Sequence, residues 1–327
     1  MRNVALKFFV TGGAGYIGSH MCKALHHAGH EVIVIDNLST GNEWAVKWGP
    51  LEKIDLRDTE QLRQVFDTHK PAGVYHFAAF SYVGESVENP AKYYDNNVAG
   101  AISLLDVMRD HSCHNIVFSS TSATYGVPEM QPIDEECPQI PINPYGRSKL
   151  MIETIMKDYA SAYGLRPAFL RYFNACGADP DGEIGEAHDP ETHLIPRVLM
   201  AASGHIEALD VYGTDFPTED GTAIRDYIHV CDLADGHLAA MDALAAEKEP
   251  FACNLGTGAG VSVRDVIRSV EKVTGVNVPT RETGRRPGDP PVLVASTKKA
   301  NERLGFKPKY VEMDDIVETA WKWHQSS

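Results

Sequence analysis

The chain has 327 residues, long enough for two lobes around a sizeable core, and its 43% hydrophobic and 23% charged residues exclude a disordered or fibrous chain. The formal net charge of −15, from 45 acidic against 30 basic residues without any Lys/Arg-rich run, excludes nucleic acid as an expected partner. A small phosphorylated ligand is still compatible, because a few arginines can oppose the global field locally.

No apolar stretch reaches the ~20 residues of a membrane span, and Lys7 interrupts the opening MRNVALKFFV, so neither a membrane nor a signal segment is expected and the chain reads as cytoplasmic. Six cysteines lie far apart with no CxxC pair; they read as reduced, mostly buried thiols rather than a disulfide framework or zinc cluster.

Strand-length apolar runs occur at Leu6–Val10, Val32–Ile35, Val74–Phe77, Ile116–Phe118 and Phe169–Leu170. Segments with helical spacing, such as Ile17, Met21 and Leu25, separate them. The alternation predicts a doubly wound parallel α/β sheet of Rossmann type over residues 1–175, covered by helices on both faces. Beyond that point Ala178–Pro190, Gly213–Gly221 and Gly284–Pro291 read as long loops, so residues 176–327 form mainly a smaller, loop-rich C-terminal lobe. Within it Asp226–Ala246 reads as a helix and Phe251–Leu255 as a strand, both expected to return to the first lobe.

Thr11-Gly12-Gly13-Ala14-Gly15-Tyr16-Ile17-Gly18 follows the first strand and opens the first helix. Gly12 suits a tight turn, Gly15 the approach of a pyrophosphate to the helix N-terminus, and Gly18 close helix–strand packing. The spacing is GxxGxxG, a variant of the dinucleotide fingerprint, and a plain strand–helix turn is the alternative. Asp36 closes the second strand where a carboxylate would receive a ribose diol; its charge, with no Arg immediately after it, favours NAD over NADP, unless Asp36-Asn37 is simply a turn. Asp55-Leu56 is a second candidate, toward the adenine.

Phe118-Ser119-Ser120-Thr121-Ser122-Ala123-Thr124-Tyr125-Gly126 leaves an apolar strand for a hydroxyl-rich turn that could hold a sugar oxygen or satisfy its own backbone. Tyr145 and Lys149, in Tyr-Gly-Arg-Ser-Lys, fall on one face of a helix. A close ammonium and a nicotinamide cation both favour the phenolate, so Tyr145 would transfer a proton and Lys149 would tune it. By spacing alone the pair also fits a solvated helix face.

In this order the glycine turn, Asp36, the hydroxyl turn and YxxxK resemble the extended short-chain dehydrogenase/reductase superfamily. Arg171-Tyr172-Phe173-Asn174, Cys176-Gly177-Ala178, Pro217-Thr218-Glu219-Asp220-Gly221-Thr222 and Arg225-Asp226-Tyr227-Ile228-His229-Val230 narrow the resemblance to its UDP-glucose 4-epimerase family, over nearly the whole chain. That resemblance implies NAD as cofactor and a UDP-sugar as substrate, with reversible inversion at C4 of UDP-galactose and UDP-glucose through a 4-keto sugar. It implies cofactor contacts at Tyr16, Ile17, Asp36, Asn37, Asp55, Leu56, Phe77, Ala78, Asn96, Lys149 and Phe173, beside Gly12, Gly15 and Gly18. Tyr145 would be the base and Thr121 would bridge it to the sugar O4; uridine diphosphate would meet Asn174, Leu194, Tyr212, Arg225, Arg286 and Asp289. Apart from any resemblance, a diphosphate in so acidic a protein needs guanidinium groups, although Arg225 and Arg286 also fit surface ion pairs. A homodimer through helices near Pro90–Arg109 and Ser148–Tyr163 is implied as well.

Three positions depart from the family pattern. Ser81 stands where many members have a Lys near the cofactor, His193 replaces an Asn at the nucleotide, and Leu293 occupies the position whose bulk bears on N-acetylated sugars. Glu186, His188 and His193 have metal-ligand chemistry, but their loop is the family's nucleotide loop, and no metal is expected. A nucleotide-sugar 4,6-dehydratase would need Asp and Glu after the Thr, where this chain has Ser122 and Ala123. UDP-N-acetylhexosamine or UDP-pentose epimerisation stays open. A cofactor-binding regulatory protein is the reading from another class, and intact Thr121, Tyr145 and Lys149 count against it.

Overall fold

The computed structural model describes residues 5–286 and 288–326. In chain order its strands are β1 (Lys7–Thr11), β2 (Glu31–Ile35), β3 (Leu51–Glu52), β4 (Gly73–His76), β5 (Asn115–Thr121), β6 (Arg166–Tyr172), β7 (Asn174–Cys176), β8 (Leu209–Tyr212), β9 (Ile224–His229), β10 (Phe251–Leu255), β11 (Gly260–Ser262), β12 (Thr280–Thr283) and β13 (Val292–Leu293). Seven of them make one sheet in the order β10-β6-β5-β4-β1-β2-β3, with every pairing parallel. The expected Rossmann-type sheet is therefore present, and β10 is its edge strand beside β6.

Strand alternation divides the core. Phe8 and Val10 pack with Met21 and Leu25 of helix Tyr16–His27 and with Leu233 and Leu244 of helix Val230–Glu247. Phe9, between them, turns the other way onto Phe66, Leu104 and Met156, which belong to helices Thr59–His69, Gly100–Asp110 and Pro144–Tyr163. Helices thus cover both faces, which is why the strands are apolar along nearly their whole length.

The remaining strands lie in the second half. β9 is flanked by antiparallel β11 and by parallel β13 and β7, and β8 pairs with β12. A separate apolar cluster, including Val198, Leu209, Val266, Val270 and Val317, holds these pieces to helices Leu194–Ala202, Val263–Thr274 and Met313–His324. Ala178–Pro190, Gly213–Gly221 and the described part of Gly284–Pro291 carry neither helix nor strand, as expected.

Two expectations need correction. The helix read over Asp226–Ala246 starts only at Val230, and Asp226–His229 belongs to β9. Asp226 is buried in that strand because its carboxylate ties two distant loops, accepting from Thr257 N (2.8 Å) and Gly258 N (3.0 Å) of one and from Ala295 N (3.1 Å) of the other. The helix expected over Pro90–Arg109 is interrupted by a π-helical turn at Tyr94–Ala99. There Asn97 is buried and pairs with the Phe80 backbone at both ends of its amide, Phe80 N donating to Oδ1 (2.8 Å) and Nδ2 donating to the carbonyl (3.0 Å). Such widened turns recur at functional sites.

The six cysteines are unpaired, and five of them are buried. Among the described residues no helix is long and apolar enough to cross a membrane.

Candidate active site

From β1 the chain steps outward to β2 and β3, then returns to β4 and continues on the other side through β5 and β6. The reversal leaves a crevice at the C-terminal ends of β1 and β4, where open α/β sheets bind ligands. A cavity of about 1220 Å³ occupies it and reaches across to the second lobe. Every residue expected at cofactor or substrate, from Gly12 through Tyr145 and Lys149 to Leu293, lines this one cavity.

On the cofactor side, Gly12 has φ of +73° and a Cβ there would lie 2.6 Å from Ala78 N. At Gly18 a Cβ would lie 2.1 Å from the Gly12 carbonyl oxygen, so helix Tyr16–His27 can sit this close to the strand only with hydrogen there. Gly15 is the N-cap of that helix and no side chain caps it, which leaves its first N–H groups to an anion. Asp36 does two jobs. Its oxygens accept from Ala14 N (3.0 Å) and Leu38 N (2.8 Å), fixing the turn, and burial pushes its carboxyl up while it faces the cavity. Asn37 donates to Asp55 (2.9 Å), whose carboxyl is held well below the usual range chiefly by the Arg57 guanidinium. Ser81 lines the same wall with a hydroxyl. A shape that only glycine fits, an open helix N-terminus and a carboxylate at the end of β2 suit a dinucleotide.

The proton-transfer group is placed by a short piece of capping chemistry. Asn143 Oδ1 accepts from Gly146 N (2.8 Å) and Pro144 takes the first helical position, so helix Pro144–Tyr163 begins with Tyr145 in its first turn. One turn later Lys149 is buried and donates to the Ser119 carbonyl (2.7 Å), and its Nζ lies 6.0 Å from the Tyr145 ring centre. Thr121, the last residue of β5, lies beside the Tyr145 phenol. Burial raises that phenol above its ordinary value and the Thr121 contact only partly offsets this; burial also pushes Lys149 down to about 7. Burial thus opposes charge on both groups, while the Lys149 ammonium lies close enough to the phenol ring to favour the phenolate.

Behind Thr121 lies a network that the sequence did not suggest. Glu153 accepts from Ser120 Oγ (2.6 Å) and from Arg171 Nε (3.0 Å) and Nη2 (2.7 Å), and Arg171 Nη1 donates to the Tyr125 hydroxyl (2.9 Å). Both charges are buried, and the pair locks the end of β5 to β6. Glu153 and Arg171 are far apart in sequence, so no local pattern announces them.

The opposite wall comes from the second lobe. Arg225 pairs with Asp289, and Arg286 stacks over the Tyr212 ring at 4.0 Å. The ion-pair reading of Arg225 thus holds, while both guanidinium groups still border the cavity. Leu293 is half-buried on β13, opposite Arg225 on β9. Asn174 starts β7, and His193 stands at the N-cap position of helix Leu194–Ala202 without a capping side-chain bond; the first residue of that helix also faces the cavity. His188 and His193 gather around Glu186 and Glu191. Burial opposes their charge, but the carboxylates outweigh it and raise His188 to about 9 and His193 to about 10. Glu191 was missed in the sequence because nothing in Pro-Glu-Thr-His shows that it folds back toward Glu186.

Residues 8–256 match the model of the NAD dependent epimerase/dehydratase family. The chain belongs to that family. It is 51% identical over 315 residues to a UDP-glucose 4-epimerase of Rhizobium meliloti, covering 96% of each chain. It is 50% identical over 320 residues to a UDP-glucose 4-epimerase of Lacticaseibacillus casei, covering 97% of this chain and 96% of that one. Its fold overlays the crystal structure of UDP-glucose 4-epimerase from Brucella ovis in complex with NAD with a TM-score of 0.95 at 53% identity, covering 97% and 98% of the two chains.

Proposed function

We propose that the protein interconverts UDP-galactose and UDP-glucose by inverting C4 through a transient 4-keto sugar. The observation that carries this reading is one cavity that joins Thr121, Tyr145 and Lys149 to Arg225, Arg286 and Asp289 across the two halves of the chain. Gly12, Gly15, Gly18 and Asp36 would hold NAD, which when bound would supply a reversible hydride acceptor for C4. Tyr145 takes the proton from O4 and later returns it, with the Thr121 hydroxyl bridging oxygen to phenol. Lys149 is held in place by donating to the Ser119 carbonyl, from where its ammonium would favour the Tyr145 phenolate.

Inversion requires that the hexose turn over between the two hydride transfers, so the nucleotide must be gripped and the sugar must not. Arg225 and Arg286 serve the grip as charged forks for the diphosphate, with Asn174, His193, Leu194, Tyr212 and Asp289 around the uridine. The cofactor-binding domain would be residues 1–175, joined by the segments near 226–256, and residues 176–327 would bind mainly the nucleotide sugar. Exposed Ile102, Met151 and Tyr163 on the helices expected to pair two copies favour a homodimer, and unpaired buried thiols favour a cytoplasmic setting.

Leu293, half-buried at the sugar end, leaves a second reading in which UDP-N-acetylhexosamines or UDP-pentoses are also turned over. Incubating the purified protein with UDP-galactose, its N-acetyl counterpart and a UDP-pentose, without added reductant, separates these by chromatography. UDP-glucose from UDP-galactose is expected. A C4 epimer from a pentose or N-acetyl substrate with none from UDP-galactose would overturn the hexose assignment.

A further inference from the structure

Residues 186–193 fold two carboxylates and two imidazoles onto one another. One coordinating atom each from Glu186, His188, Glu191 and His193 lies within 4.8 Å of all the others. The N···O contacts are His193 to Glu186 at 2.6 Å, His188 to Glu186 at 3.1 Å, His193 to Glu191 at 3.4 Å and His188 to Glu191 at 3.7 Å, each through Nδ1. Four ligands at about 2.0–2.2 Å around a tetrahedral ion are about 3.3–3.6 Å apart, and the contacts that involve Glu186 Oε1 and Glu191 Oε2, at 2.6, 3.1 and 3.7 Å, straddle that spacing.

Two further details fit a common centre better than separate ion pairs. His193 Nδ1 is buried and close to Glu186, yet it has no aligned hydrogen bond, so its donor direction misses the oxygen it touches. The Glu191 carboxylate is also fixed by the backbone of its own loop. Glu191 Oε1 accepts from Thr192 N and His193 N, both at 2.7 Å, which leaves Oε2 toward His188. Trp323 Nε1 donates to the Glu186 backbone carbonyl at 2.9 Å, which anchors the loop beside the cluster. Outer contacts of this kind orient ligands before an ion arrives.

We propose that Glu186, His188, Glu191 and His193 form a reversible tetrahedral site for a zinc-class divalent ion. Two imidazoles favour first-row transition metals, whereas magnesium and calcium need six or more oxygens. The inference rests on this ligand geometry and not on the sugar-nucleotide reading. A linked statement does rest on that reading: His193 belongs both to the ion site and to the uridine wall, so the ion and UDP alter each other's affinity by one common factor.

The test is a titration of Co²⁺ alone into chelator-treated protein retaining its cofactor, followed by visible absorption, in which tetrahedral cobalt is intense. Saturating bands at one ion per chain, bleached by Zn²⁺, are expected. His188→Ala and the nearly isosteric Glu191→Gln should each weaken cobalt binding at least about 10-fold, with folding checked by near-UV circular dichroism. Absence of visible bands, or bands unchanged in folded Glu191→Gln protein, overturns the site. UDP should then shift the cobalt affinity; no shift in protein shown calorimetrically to bind UDP removes the linkage, whereas no UDP binding removes the uridine assignment instead.

Discussion

Lys149 is 2% exposed, has one carbonyl as its partner, and is lowered by burial to about 7. From an unfolded value near 10.5, that depression corresponds to a charging penalty of up to about 5 kcal/mol. The folded value is the lower one, so the penalty is fully present below about pH 7 and fades as pH rises toward 10.5. Lys149→Met removes it, at the cost of about 1–3 kcal/mol for an unpartnered Ser119 carbonyl. Thermal melts of the cofactor-free variant should therefore show a net gain of about 2–4 kcal/mol below pH 7 that vanishes between about pH 8 and 10 and turns into a loss above that, together with lost activity. A variant less stable than the parent at pH 6 contradicts this account of Lys149. Tyr145→Phe belongs to the same scale. Removing the phenol should lower turnover by at least about 10²-fold while calorimetry still detects UDP binding.

Helix Pro144–Tyr163 carries both groups, and its start decides where they point. Asn143→Ala removes the cap and should cost about 0.5–2 kcal/mol, read as a lower denaturation midpoint. It should also lower kcat more than it raises KM, because Tyr145 lies in the loosened turn. Equal loss of stability without any change in kcat would separate the cap from catalysis. This element was legible in the sequence: Asn-Pro before Tyr145 and Gly164 after Tyr163 are local stop and start signals, and Gly164 takes φ of +72° as the C-cap. The glycine turn was legible for the same reason, since the positive φ at Gly12 and the clash of Gly18 with Gly12 are local, although the close approach of Gly12 to Ala78 is not. β9 was not. Asp226 is polar in the middle of a strand because it serves loops at Thr257 and Ala295, and no local pattern carries that information. The π turn at Tyr94–Ala99 was equally hidden, because Asn97 is tied to Phe80 by tertiary contact.

Across the whole molecule, the α/β rhythm predicted the parallel sheet but not its strand order or switch point, and the arrangement of the second lobe around the cavity was implied only by resemblance. A chain with net charge −15 must bring positive charge to one place to hold a diphosphate. Arg286 stacks over Tyr212 at the cavity and Arg225 shares its charge with Asp289. Arg286→Ala should therefore weaken UDP binding about 10- to 100-fold, the worth of a charged hydrogen bond, and flatten its dependence on salt. Unchanged affinity would return Arg286 to the surface.

The central claim joins both halves of the chain in one reaction, and UDP-galactose deuterated at C4 tests it directly. Incubated in ordinary water with the protein as purified and no added reductant, it should become UDP-glucose with the deuterium still at C4, because the hydrogen leaves and returns without meeting solvent. UDP-glucose that has lost its label to water would contradict the hydride path, and no UDP-glucose from protein with NAD bound would contradict the assignment itself.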